Sequence, residues 1–178
     1  IVVQFQEKQE MRNAMMFLTQ YGIATNFAAK IYKEYGDDLY EIIKKNPYQL
    51  AEDIHGIGFK IADEIAEKVG IGSSSEFRIH SGILYTLQQG VAAGHVYLPK
   101  ELLCQKAAQI LSLEPAMIET QMMNLVMDGK IMAKTGEDGE MIYLSQYYSM
   151  ELNTAKMLWD LNVDYKVSDE ELASTIEK

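Results

Sequence analysis

The stretch Ile54-His55-Gly56-Ile57-Gly58-Phe59-Lys60-Ile61-Ala62 holds the residues whose types and spacing best fit a chemical task. Two glycines around one apolar residue allow a tight turn with positive φ. With helices on both sides, the turn leaves the backbone N–H groups of Gly58 and its successors unpaired at a helix N-terminus. Such an end carries partial positive charge and accepts an anion, a phosphate oxygen above all. Ile57 would plug the gap between the helices, and Ala62 is small enough to let them approach. Lys60 falls in the first turn, where its ammonium could reach the same phosphate. A contact of this kind is blind to base sequence, because phosphates carry no base identity. The same pattern also serves as a plain tight connection between helices, and the residues alone leave that reading open.

An earlier stretch, Leu18-Thr19-Gln20-Tyr21-Gly22-Ile23-Ala24, reads as a degenerate copy. Ala24 stands where the second glycine should be, which is expected to make the tight turn harder. Ala28 and Ala29 lie close to the position of Ala62, and Thr25 and Lys30 could assist a second contact. The candidate DNA-binding residues are therefore Gly56, Ile57, Gly58 and Lys60, with Gly22, Ile23, Thr25 and Lys30 from the first copy. Two such hairpins related by pseudo-symmetry, bridged by a helix near Asp38 to Lys45, would make one compact tandem helix-hairpin-helix unit.

Other chemistries find no support. No Gly-x-x-x-x-Gly-Lys-Ser/Thr run is present to cradle nucleotide phosphates, and Gly56-Ile57-Gly58 lacks the strand-led context of a dinucleotide site. His55, His80 and His95 have no spaced cysteine or carboxylate partners of the zinc-site kind, and no metal or catalytic residue is assigned. Cys104 sits near Leu103 and Ala107 and reads as a core thiol. The many methionines follow helical stripes and read as core filler. Asp37 or Asp38 is the expected cap of the helix that follows, and Glu170-Glu171 a solvated face.

The elements that must position the hairpins are mostly helical. Apolar residues recur at helical spacing from Glu10 to Gln20 and from Asn26 to Tyr35, with Gly22 and Gly36 as stops. Short helices are expected through Lys45, ended by Asn46-Pro47, and from Tyr48 to Asp53. A longer one spans Phe59 to Val69 and buries Ile61, Ala62, Ile65, Ala66 and Val69. Gly70-Ile71-Gly72 and Ser73 to Ser75 mark the best internal boundary. Beyond it, helices over Phe77–Ala93, Pro99–Leu111 and Glu114–Asp128 are followed by strands Ile131–Lys134 and Met141–Leu144, joined by a Gly136-Glu137-Asp138-Gly139 turn. A short strand is expected at Val96–Leu98. Three helices and a β-hairpin is the order of a winged helix. Its third helix offers Glu114, Glu119, Thr120, Gln121, Asn124 and Asp128, a poor set for reading a duplex, so packing against protein is expected instead. A further helix covers Met150 to Leu161, and Asp164 to Lys178 reads as a frayed helix or linker.

The predicted fold is thus mainly α, with a helix-hairpin-helix domain over 1–72, a winged-helix-like domain over 73–148, and a C-terminal helix and linker over 149–178. The 178 residues suffice for one or two small cores. The net charge of −10 opposes any broad phosphate-neutralising surface, so binding through backbone donors is expected to be weak and salt-sensitive. A single cysteine excludes an internal disulfide and fits a cytoplasmic location. No apolar run approaches the length of a membrane span. The chain does not begin with methionine, which points to a piece of a longer protein.

The runs Ala29-Lys30-Ile31-Tyr32-Lys33-Glu34-Tyr35-Gly36-Asp37, Asn46-Pro47-Tyr48-Gln49-Leu50-Ala51-Glu52-Asp53 and Gly56-Ile57-Gly58-Phe59-Lys60-Ile61-Ala62-Asp63 resemble the N-terminal region of RecD-like ATP-dependent DNA helicases. These are similar to the exodeoxyribonuclease V alpha subunit but act without nuclease partners. Gly94-His95-Val96-Tyr97-Leu98-Pro99 and Ile142-Tyr143-Leu144 look like the same family. The resemblance implies a parent that moves 5′ to 3′ on single-stranded DNA using ATP and Mg in two RecA-like motor domains beyond Lys178, and a further hairpin pair before Ile1. This stretch itself is then a non-motor region that neither hydrolyses ATP nor unwinds DNA. Its expected partners are single-stranded or forked DNA and the motor domains of the same chain. The alternative is a scaffolding module that docks on those motors or on another protein. A lysine or arginine cluster near Gly56 would favour DNA; a broad exposed apolar patch on the winged helix or the Trp159 helix would favour docking.

Overall fold

The computed structural model describes residues 2–137 and 139–162, with side chains from Lys8 onward. The first half is a set of five helices: α1 (Val2–Gln20), α2 (Thr25–Tyr35), α3 (Leu39–Lys45), α4 (Gln49–Asp53) and α5 (Phe59–Val69). Helix α2 leaves its path at Gly36, whose φ of 53° only glycine adopts freely. A single 3-10 turn, Gly36–Asp38, then winds straight into α3. Neither Asp37 nor Asp38 caps that helix: Asp38 has helical angles of −65° and −17° and its carboxylate bonds no backbone N–H there. The backbone never breaks between the two windings, so there is no gap for a cap to fill. Pro47 ends α3 by forcing Asn46 out of the helical region, to φ −148° and ψ 75°. Gly70, left-handed at φ 88°, closes α5 by donating to the carbonyls of Ala66 and Glu67.

The second half runs α6 (Glu76–Ala92), β1 (Tyr97–Pro99), α7 (Lys100–Leu111), α8 (Pro115–Met127), β2 (Ile131–Gly136), β3 (Gly139–Leu144) and α9 (Ser145–Leu161). The strands form an antiparallel sheet in the order β1-β3-β2. Leu98, Ile142 and Ala133 stand in register across it, with Leu98 and Ile142 buried. The sheet therefore turns one face to helices α6–α8. Strands β2 and β3 each extend two residues further than the periodicity predicts, and α9 begins five residues earlier, directly after β3. The segment 164–178, predicted as a frayed helix or linker, lies outside the described residues.

Among the described residues, two apolar clusters form the core. One gathers Leu18, Ile31, Leu39, Ile43, Leu50 and Ile57 among α1–α5; the other gathers Ile79, Ile83, Leu103, Leu111, Ile118 and Leu125 with the sheet. Helix α5 feeds both: Ile65 faces the first, while Phe59, Ala62 and Ala66 face the second. It is the wedge between the halves.

The methionines overturn their expected role. Met122 is buried, but Met16, Met123, Met127, Met150 and Met157 are 60–78% exposed. Helix α8 is apolar on nearly every side, so spacing along it does not tell an inward methionine from an outward one.

Candidate functional site

The second hairpin joins α4 to α5. Gly56 takes φ 99°, and the Ile57 N–H donates to the Ile54 carbonyl at 3.0 Å. Gly58 caps α5 in extended conformation, φ −101° and ψ 176°, and its carbonyl accepts the N–H groups of Ile61 and Ala62. No side chain caps this end. Among the described residues, the N–H groups of Phe59 and Lys60 have no acceptor, as the first turn of a helix requires. The space in front is clear: a Cβ placed on Gly58 would meet nothing within 4 Å. Ile57 is buried and Ala62 fully so, which is the plug and close approach the spacing predicts. Lys60 is exposed and has no hydrogen bond or ion pair among the described residues.

The first hairpin has the same geometry. Gly22 takes φ 76°, Ile23 is buried, and the Ala24 carbonyl accepts the N–H groups of Phe27 and Ala28. Ala24 does not hinder the turn as expected. It sits at φ −63° and ψ 146°, angles open to any residue, and the corresponding Gly58 is extended too. Only the first glycine of each turn needs a positive φ. Thr25 is exposed at the first position of α2.

What the sequence did not reveal is how the hairpins hold each other. Lys30 donates to the His55 carbonyl at 3.2 Å, and Lys68 donates to the Tyr21 carbonyl at 3.0 Å. Tyr21 and His55 each precede the first glycine of a turn, so each turn is clasped by a lysine from the other hairpin's second helix. Phe27, beneath the Lys30 ammonium, also packs against Gly56. The structure thus places Gly22, Ile23, Gly56, Ile57 and Gly58 in two joined turns and Lys60 and Thr25 at their helix starts. Lys30 is engaged by a carbonyl, between the hairpins.

The carboxylates that flank the second turn are partly occupied elsewhere. Asp53 accepts the Tyr35 hydroxyl at 2.7 Å and the Gln49 amide at 3.2 Å. Asp63 accepts the Tyr48 hydroxyl at 2.7 Å and two guanidinium N–H groups of Arg78 at 2.8 and 3.0 Å. Burial, then the bond to the neighbouring aspartate, pushes both tyrosine hydroxyls well above their ordinary range. Arg78 also donates to the carbonyls of Ser73 and Leu111, tying α5, α6 and α7 together. Glu64 and Glu67 remain exposed beside Lys60.

Helix α8 spends its polar residues on protein contacts. His80 and Gln121 are 2.9 Å apart, Asn124 donates to Glu76 and Gln121, and Glu119 pairs with Lys100 at 2.7 Å. Cys104 is buried, and burial raises its thiol pKa. Among the described residues no three His, Cys, Asp or Glu side chains gather as metal ligands, and no helix is long and apolar enough to cross a membrane.

The ATP-dependent RecD2 DNA helicase of Deinococcus radiodurans is 31% identical over 90 residues, 50% of this chain. That match covers only 12% of the relative's length. The family profile described as the HHH domain of ATP-dependent RecD2 DNA helicases matches residues 7–97, which takes in both hairpins and the Arg78 tie. Since that match spans just over half of the 178 residues, the chain belongs to the RecD2 helicase HHH-domain family.

Proposed function

We propose that this chain is the non-motor, DNA-binding region of an ATP-dependent 5′–3′ DNA helicase. The Gly56–Lys60 loop grips the phosphate backbone without reading sequence and guides a single or forked strand toward the motor. One observation carries the reading: the start of α5 presents two unpaired N–H groups into open space, with the free Lys60 ammonium beside them. Backbone donors at a helix start bind phosphate without a basic surface, which suits a chain of net charge −10. ATP and Mg belong to motor domains elsewhere in the parent; this piece contributes no catalytic group. In this reading residues 1–72 form the DNA-contacting domain, 73–148 a winged-helix-like domain packed against protein, and 149–178 the connection toward the motors, in a cytoplasmic protein.

The test is fluorescence anisotropy of the chain with labelled single-stranded and forked DNA across a salt series. Gly58→Val introduces a branched side chain in front of the helix start, at angles valine tolerates. That variant and Lys60→Ala should each weaken binding about tenfold, the equivalent of ~1.4 kcal/mol, while melting like the parent chain. Equal binding by all three would sink the reading.

A docking role has its own supporting observation. Helix α9 exposes Met150, Leu152, Met157, Leu158, Trp159 and Leu161 by 57–79%, and none of its residues is buried. An apolar helix of this kind fits a contact with the motor domains of the same parent. The two roles are compatible, because α9 and the Gly56 turn lie on different elements. Absence of DNA binding at low salt would leave docking as the function.

A further inference from the structure

A groove of about 360 Å³ opens at Gly58 and runs between the hairpin unit and the sheet. Its size is at the low end of the ~300–1,000 Å³ typical of small-ligand sites. Phe59 and Tyr85 line it, with ring centroids 5.3 Å apart and planes 25° from parallel. Phe59 is also nearly parallel to Tyr48, at 6.1 Å and 21°. Gln88 and Gln146 stand exposed on the walls, and no hydrogen bond engages either amide among the described residues. Lys130, paired with Glu52, lines the same groove.

Ser81 adds a polar group with open bonding capacity to the lining. It lines the groove and is nine-tenths buried, yet its hydroxyl has no hydrogen-bond partner among the described residues. Elsewhere on the same helix, the Thr86 hydroxyl donates to the Gly82 carbonyl one turn back at 2.7 Å, the usual way to satisfy such a group. Ser81 forgoes that bond and is left with unused donor and acceptor capacity inside the groove. Its oxygen is not sealed off from the groove, so a ligand there can reach it.

We propose that this groove receives one unpaired nucleobase of the strand whose phosphate rests at Gly58, a site that rests on the DNA-binding reading above. The base stacks on the half-buried Tyr85 ring where it lines the groove. Its polar edge meets Ser81 at the floor and the amides of Gln88 and Gln146 at the walls. Two amides and a hydroxyl offer both donors and acceptors, so the site accepts any base. Base–aromatic stacking is sequence-tolerant for the same reason, since every base has a π-face. A paired base cannot leave its stack without cost, so the groove favours single-stranded DNA.

The chain is titrated with two labelled oligomers of equal length, oligothymidylate and one built wholly of abasic residues. The wild-type chain should bind the thymidylate about tenfold more tightly. Ser81→Leu, which fills the floor, and the surface pair Gln88→Ala with Gln146→Ala should bind both oligomers at the abasic level. The double amide variant decides the matter if Ser81→Leu melts early. Gly58→Val should weaken both oligomers alike. No thymidylate preference in the wild type, with Gly58→Val still weakening binding, overturns the groove and spares the phosphate contact. A preference that the groove variants leave intact places the base elsewhere and also overturns the groove. Failure of the wild-type chain to bind either oligomer removes both proposals together.

Discussion

Gly56 and Gly58 are glycines for different reasons, and substitution separates them. Gly56 sits at φ 99° with a prospective Cβ 3.1 Å from the Phe27 ring, so Gly56→Ala should lower stability by about 1–2 kcal/mol in a thermal melt. Gly58 sits at ordinary angles in open space, so Gly58→Ala should melt at or slightly above the parent temperature. If both alanines destabilised equally, Gly58 would be a turn residue and not a gate kept clear for an anion. The sequence showed that glycines matter here but not this division of labour, because φ belongs to the folded turn. Tyr48 was likewise invisible: its bond to Asp63 joins residues on different helices, and no local pattern announces it. Burial, and then that bond, hold its hydroxyl above the ordinary value near 10. Below pH 10 both folded and unfolded chains keep this proton, and its contribution to stability is complete. Above pH 10 the unfolded chain releases it first, and stability falls as pH rises. Tyr48→Phe should therefore cost about 1 kcal/mol at neutral pH and lose stability less steeply than the wild type above pH 10. Parallel melting-temperature curves from pH 8 to 11 would refute the assignment.

At the scale of elements, helix α5 was fully legible, from Phe59 to Val69, because glycines bracket a clear apolar stripe. Legibility failed where two signals compete or none exists. Asp37 and Asp38 resemble a cap, yet the 3-10 turn leaves them nothing to cap. The start of α9 was missed because Ser145 to Ser149 follows β3 without a break residue. The reciprocal clasp of Lys30 and Lys68 is a tertiary contact, and a lysine on a helix face looks the same whether it meets solvent or a distant carbonyl. Element packing makes its own prediction at Gly82, inside α6, where alanine would ordinarily favour the helix by about 1 kcal/mol. A Cβ there would stand 2.6 Å from Leu111, which is 1% exposed and has no room to move. Overpacking of this kind costs ~1–3 kcal/mol, so Gly82→Ala should destabilise despite its better propensity. A rise in melting temperature would mean that α6 and α7 approach less closely than described.

For the whole molecule the governing quantity is the net charge of −10, which limits how the proposed DNA contact can be made. Proteins that bind by lysine and arginine tracks release many counterions, and their affinity falls steeply with salt. Here the donors at the hairpins are backbone N–H groups with Lys60 beside one of them, while Glu64 and Glu67 stand nearby. In the proposed reading the two pseudo-symmetric turns, with one or two phosphates at each, would neutralise few charges between them. The slope of log affinity against log salt for single strands is about −0.7 per phosphate contacted. Two to four phosphates therefore predict a slope between roughly −1 and −3. Lys60→Ala should make that slope shallower by about 0.7, whereas Gly58→Val should lower the affinity at every salt concentration and change the slope less. A measured slope steeper than about −5 would require a cationic track far larger than the hairpins offer, and would move the DNA contact away from the Gly56 turn.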